Sequence, residues 1–315
     1  MEPIIHVENL IKRYNKAKES AVNGVSFDVR DGEFFTFLGP NGAGKTTTIS
    51  ILTTTLSKSS GKVEVLGKDI EKDASYIRQN LGIIFQKPSL DENLTAEENI
   101  RFHAILYNLY TFSPTYGLMP KAYKDRVMNL AELLGIQKEM FNPIKSFSGG
   151  MKRKLEIIRS LMHDPKILFL DEPTTGLDPV SRNNLWDYLQ EVRQNAKTTI
   201  FLTTHYLEEA EGSDVVCIIN NGKIMMQGMP REIKNQLVSP HLVFESKERE
   251  RLSEELKVKG YRFQEKDGKF IVEFGDRRGQ EIIKSIDTPI HRIDINNPTL
   301  EEAYVKLVEG GGETG

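Results

Sequence analysis

The stretch Glu33-Phe34-Phe35-Thr36-Phe37-Leu38-Gly39-Pro40-Asn41-Gly42-Ala43-Gly44-Lys45-Thr46 decides the fold. From Gly39 onward it fits the pattern G-x-x-x-x-G-K-[ST] without a departure. The apolar run before it reads as a buried strand, and Thr46 to Leu52 can open a helix. Strand, glycine-rich loop and helix form the setting in which backbone N–H groups curl around a polyphosphate. The helix N-terminus adds partial positive charge. In that setting Lys45 reaches the outer phosphates, and the Thr46 hydroxyl is a ligand for Mg²⁺.

Two further stretches carry chemistry. Ile167-Leu168-Phe169-Leu170-Asp171-Glu172 sets four apolar residues before two carboxylates. A central strand would deliver both acids to the sheet edge where open α/β folds bind ligands. There Asp171 is placed to hold Mg²⁺, and Glu172 to polarise a water against a terminal phosphate. Phe147-Ser148-Gly149-Gly150-Met151 offers a capping serine and two glycines with accessible N–H groups, a second anion-binding helix start.

Composition bounds the remainder. The chain has 315 residues, enough for two or three domains with real cores. With 42 basic and 45 acidic residues the formal net charge is −3, which argues against a broad electrostatic grip on nucleic acid. No apolar stretch is long enough to span a bilayer, and Met1-Glu2-Pro3-Ile4 does not read as a secretory leader. The single cysteine, Cys217, lies in an apolar strand, which excludes an intrachain disulfide and fits a reducing cytosol.

Along the chain, residues 4–8 and 26–30 read as antiparallel strands, with turn signals at Asn23-Gly24 and Asp31-Gly32. Thr95 and Glu98 form a capping box at the head of a helical stretch that runs to Met162. Tyr110 to Pro120 interrupts that stretch. Strands then alternate with helices, the pattern of a largely parallel sheet. Beyond Ser239-Pro240 the order βαββαβ implies a small ferredoxin-like sandwich, followed by a helix from Asn297-Pro298-Thr299. The domains are therefore expected at 1–238, with a helical subdomain at about 94–163, and at 239–309, with a frayed tail at 310–315.

Taken together, Gly39 to Thr46, Gln86, Ser148-Gly149-Gly150, Asp171-Glu172, Gly176-Leu177-Asp178 and His205 stand in the order and spacing of an ATP-binding-cassette (ABC) ATPase. The chain resembles that family over about residues 4–235. The resemblance implies an α/β P-loop NTPase fold with an antiparallel β subdomain and a helical subdomain. It also implies ATP and Mg²⁺ as ligands. Nucleotide binding would then fall to Tyr14, stacking on adenine, and to Gly39, Pro40, Asn41, Gly42, Ala43, Gly44, Lys45, Thr46 and Thr47. Metal binding would fall to Thr46, Gln86 and Asp171, and catalysis to Glu172, His205 and Gln86. Ser148, Gly149, Gly150 and Asp178 would meet the nucleotide held by an opposite subunit. In the signature, Phe147 and Met151 stand where the family usually has Leu and Gln.

With one phosphate loop and one signature, the resemblance implies a homodimer or a paralogous heterodimer working with integral membrane permease subunits at the cytoplasmic face of the membrane. Tyr206-Leu207-Glu208-Glu209-Ala210-Glu211 and Asn297 to Tyr304 resemble the drug- and lipid-export (ABC-2-type) cassettes. An exporter subunit is the expectation, with an importer ATPase or a soluble non-transport cassette as the alternatives. Residues 110–118 read as an insertion into the helical subdomain. His241 and His291 are isolated and carry no metal expectation.

Overall fold

The computed structural model describes residues 2–15, 17–86, 89–275 and 278–310. They form two compact units, Met1–Gln227 and Gly228–Gly315. The last five residues of the chain, and with them most of the expected tail, lie outside the described residues.

The first unit opens with β1 (Ile5–Lys12) and β2 (Val22–Val29), which pair antiparallel. Asn23-Gly24 lies inside β2 and is not the turn its composition predicts. The register skips at Val7/Leu10 and again at Leu10/Ile11. Gly24 at φ 72° and Asn9 at φ 49° absorb the two bulges. The left-handed freedom that marks a turn in sequence here bends a strand. Then come β3 (Phe34–Leu38), α1 (Lys45–Leu52), β4 (Ser60–Val65), β5 (Lys68–Asp69), α2 (Ala74–Gln79) and β6 (Leu81–Ile84). The helical stretch supplies α3 (Ala96–Leu106), α4 (Lys121–Leu133) and α5 (Gly149–Leu161). β7 (Ile167–Asp171), α6 (Pro179–Ala196), β8 (Thr199–Thr204), α7 (Leu207–Ala210), β9 (Val215–Asn220) and β10 (Lys223–Gly228) follow.

Six strands order as β10-β9-β3-β8-β7-β6, and β3, β6, β7, β8 and β9 pair in parallel. A second, antiparallel sheet orders as β2-β1-β4-β5. Burial of β7 on both faces explains its unbroken apolar sequence. Ile167 and Phe169 face the core shared with the antiparallel sheet, where Phe27, Phe35 and Phe201 stack. Leu168 and Leu170 face the core shared with α3, α4, α5 and α6. Clamped this way, the strand can present Asp171 and Glu172 at a fixed place. Each such side chain contributes about 1.5–3 kcal/mol by leaving water.

The Thr95 capping box is present, with Thr95 Oγ1 accepting from the Glu98 N–H and Glu98 from the Thr95 N–H. One turn on, Glu97 and Arg101 are both buried and paired at 3.1 Å. Arg101 also donates to the Ser113 and Pro114 carbonyls at 2.9 and 2.8 Å. The 110–118 segment is thus bolted to α3 by a buried charge.

The second unit holds α8 (Pro230–Leu237), β11 (His241–Glu245), α9 (Arg249–Val258), β12 (Phe263–Lys266), β13 (Lys269–Glu273), α10 (Gly279–Ser285), β14 (Arg292–Asn296) and α11 (Leu300–Gly310). Its sheet orders as β12-β13-β11-β14, antiparallel throughout. This is the ferredoxin-like arrangement expected from βαββαβ. Its core holds Leu242, Phe244, Leu252, Leu256, Phe270, Val272 and Ile282. Because α8 packs against α11, it groups with this unit; the sequence boundary at 238/239 had placed it in the first. No helix among the described residues is long and apolar enough to cross a membrane.

Candidate active site

The loop from Gly39 to Gly44 joins β3 to α1. Gly44 sits at φ 105° as the residue before the helix, and Gly42 at φ 82°. A Cβ on Gly44 would stand 2.4 Å from the Ala21 carbonyl oxygen, and one on Gly39 would stand 2.2 Å from that of Ile219. Neighbouring backbone therefore excludes any side chain at either position. Pro40 accepts from the Ala43 N–H at 3.2 Å, closing the turn.

Over this loop opens a cleft of about 380 Å³, bounded by Asn41, Gly42, Gly44, Lys45, Thr46, Thr47, Gln86 and Glu172 among others. Lys45 is buried and donates to the Gly39 and Pro40 carbonyls at 2.8 and 3.1 Å. Its ammonium also stands 3.3 Å from Glu172 Oε1. Gln86 donates to Glu172 Oε2 at 3.0 Å. His205 Nδ1 lies 3.2 Å from Glu172 Oε1, at ion-pair distance but off the hydrogen-bond line. Three residues far apart in sequence thus converge on one carboxylate. Glu172 itself takes φ 47°, unusual for a residue with a side chain, and its N–H donates to the Thr203 carbonyl at 3.0 Å.

Asp171 lies beside this cluster. Thr46 donates to its Oδ1 at 3.4 Å, and Thr203 donates to the same oxygen. Burial pushes the Asp171 carboxyl above the ordinary aspartate range. The two hydroxyls and Lys45 pull it back, while Glu172 adds to the upward push. Tyr14 is half exposed, and its hydroxyl is 3.3 Å from Thr47 Oγ1, which sets an aromatic face at the cleft margin.

The signature residues form a second group. Ser148 Oγ accepts from the Met151 N–H at 3.2 Å and so caps α5. Ser148 and Gly149 are exposed, and a Cβ on Gly149 would meet nothing within 4 Å. Asp178 caps α6 by accepting the Ser181 N–H and hydroxyl, which hold its carboxyl below the usual range. Ser181 also faces Gly150. None of the hydrogen bonds or ion pairs found among the described residues joins this group to the Lys45–Glu172 cluster.

A residue without a role in the motif reading, Arg153, ties the two regions together. It sits on α5 and is buried. It donates to the carbonyls of Phe85 at 2.6 Å, Pro173 at 2.8 Å and Glu172 at 3.4 Å, and pairs with Glu156 at 3.0 Å. Sequence offers no signal for it, because Lys152, Arg153 and Lys154 read alike until α5 is packed.

Comparison with known proteins gives the family. The family model described as "ABC transporter" matches residues 22–175. The Nod factor export ATP-binding protein I of Ralstonia nicotianae is 39% identical over 232 residues, 73% of this chain and 68% of that protein. The probable multidrug ABC transporter ATP-binding protein YbhF of Escherichia coli is 37% identical over 75% of this chain, which spans only 39% of that protein. Among solved structures, cbiO1 from Clostridium perfringens, part of the ABC transporter complex cbiONQ, is 29% identical with a TM-score of 0.65. That match covers 74% of this chain and 91% of cbiO1. The chain belongs to the ATP-binding subunits of ABC transporters, a family of ATPases.

Proposed function

We propose that this subunit hydrolyses ATP between two copies or paralogues and so powers export through separate membrane permeases at the cytoplasmic face. The observation that carries the reading is the meeting of Lys45, Gln86 and His205 on Glu172. In this scheme Lys45 leaves Glu172 for the outer phosphates, and the loop N–H groups receive the remaining oxygens. Freed of its ion pair, Glu172 takes a proton from water as the water oxygen bonds to the terminal phosphorus and the bridging P–O bond breaks. The products are ADP and inorganic phosphate. Gln86 orients the water and His205 holds the terminal phosphate. Tyr14 stacks on the adenine.

The donor set suits a hard cation. Thr46 and Asp171 bring oxygens 3.4 Å apart beside the phosphate loop, with the Gln86 amide at the same cleft. Mg²⁺ held there supplies neutralisation of phosphate charge.

Exposure of Ser148, Gly149 and Asp178 supports their use by the nucleotide of a second subunit. Support for export comes from the names of the two relatives and from the Tyr206–Glu211 and Asn297–Tyr304 segments. For a permease partner, it comes from the exposed Phe102 and Leu106 on α3 and from Phe112 on the pinned 110–118 segment. No nucleic-acid role is proposed, in keeping with the near-neutral charge. The test is Glu172→Gln: it is expected to bind ATP, lose hydrolysis and elute from gel filtration as an ATP-dependent dimer. Elution as monomer in saturating ATP would defeat the two-subunit arrangement.

A further inference from the structure

Two backbone corners hold the catalytic groups of the proposed site. One follows β7 and carries Glu172; the other ends β8 and carries His205. A single buried carboxylate reaches both. Glu209 on α7 is 5% exposed, although Glu208 and Glu211 beside it are exposed. Its Oε1 accepts the hydroxyl of Thr174, two residues beyond Glu172. Its Oε2 accepts the hydroxyl of Thr204, the residue before His205, at 2.5 Å. Both threonines are fully buried. Thr204 Oγ1 also accepts the Tyr206 N–H at 2.9 Å, locking the backbone on the far side of His205. The Thr174 carbonyl accepts the Leu177 N–H at 2.9 Å, the turn that leads to Asp178.

We infer that Glu209 is a positioning residue that registers Glu172 and His205 against each other, through Thr174 on one corner and Thr204 on the other. This inference rests on the catalytic roles proposed above for Glu172 and His205. The chemistry of the acceptor is specific. Each threonine hydroxyl has one proton to give, and an ionised carboxylate offers two oxygens and no competing proton. A glutamine in its place would accept at one oxygen and turn an NH₂ toward the other hydroxyl. An alanine would leave two buried hydroxyls without an acceptor.

The experiment is steady-state ATP hydrolysis by the full chain carrying Thr174→Val or Thr204→Val, each compared with Thr→Ser at the same position. Valine keeps the shape and loses the proton donor; serine keeps the donor. Each valine variant is expected to lower kcat about ten- to hundredfold, as misplacement of a reacting group does, with KM for ATP little changed. Serine is expected to restore the native kcat at both sites. Thermal melts of the four variants establish that they are folded, so Glu209→Ala, which could unfold the chain, is not needed. Glu209→Gln is expected to resemble one valine variant, and Glu209→Gln with Thr204→Val to be no slower than the worse single. Valine variants with native kcat would overturn the inference, as would a matching rise in KM or serine variants as slow as valine. Glu172→Gln run in parallel separates the two levels. If it hydrolyses at the native rate, the proposed site falls; if it is inactive while the valine variants are fast, only the role of Glu209 falls.

Discussion

Two helix starts in this molecule carry glycines, and they differ in what surrounds them. Around Gly39 and Gly44 the chain has closed: neighbouring carbonyls stand where a Cβ would go, and Lys45 is held by the carbonyls of its own loop. Around Gly149 there is open space, and Ser148 does no more than cap its helix. The first start is complete within one chain. The second has the same N–H groups and the same terminal dipole, and among the described residues nothing lies within 4 Å of a Cβ built on Gly149. The difference teaches that an anion site is made by enclosure as much as by the motif, and the open start is what the proposed two-subunit arrangement would close.

The largest expected effect breaks the enclosed half. Lys45→Ala removes a buried partner of Glu172 as well as the proposed phosphate donor. Calorimetry is expected to show ATP affinity reduced about a hundredfold or more, with the fold destabilised by about 1–3 kcal/mol as Glu172 keeps Gln86 but loses its buried cation. Undiminished affinity would contradict the loop assignment. Next comes a matched pair of glycine substitutions. Gly44→Ala is expected to cost about 2–3 kcal/mol in urea unfolding, from a left-handed backbone and a blocked Cβ. Gly149→Ala is expected to change stability by about 0.5 kcal/mol or less while weakening ATP-dependent dimerisation. Equal stability losses in the two would erase the contrast.

A smaller effect tests the tension inside the enclosed half. Asp171 has a raised pKa because burial disfavours its charge. A carboxyl raised in the folded state gives up stability as pH rises through its folded pKa. Asp171→Asn is therefore expected to stabilise the nucleotide-free chain by about 0.5–2 kcal/mol near neutral pH while losing Mg²⁺-dependent hydrolysis. A lower urea midpoint at neutral pH would contradict this. The effect that is smallest at neutral pH, and grows only in acid, lies away from the site. Burial pushes His103 down to about 3, with the Arg159 and His163 charges adding to the fall. The folded state then refuses a proton that the unfolded chain accepts, so stability is lost as pH falls from about 6.5 toward 3. His103→Phe is expected to flatten that acid limb, seen in urea midpoints at about pH 7 and about pH 4.5. An unchanged limb would remove His103 from the acid response.

Much of this was legible before folding. β3 and β7 are buried on both faces, so they appear as unbroken apolar runs and point directly to the loop and to the acids. The βαββαβ order of the second unit survived because its turns carry Gly and Asp at positive φ, as at Asp267-Gly268. The same cue misled at Asn23-Gly24, where a bulged strand needs the conformation that a turn needs. The grouping of α8 was not legible, because it depends on packing against a helix some seventy residues later. Neither were Arg153 and Glu209. Charged residues on a helix default to solvent, and what buries these two is the arrival of Phe85, Pro173, Thr174 and Thr204 from other elements.

Arg153 has a mechanical consequence. One planar cation pins the root of the serine-started helix to the peptide before Gln86 and to the peptides on either side of Pro173. A tug on the outer tip of α5 would reach the Glu172 carboxylate as torque on the main chain, through a rivet shared by three plates. Glu172, at φ 47°, is the residue of that corner whose backbone stands in the left-handed region.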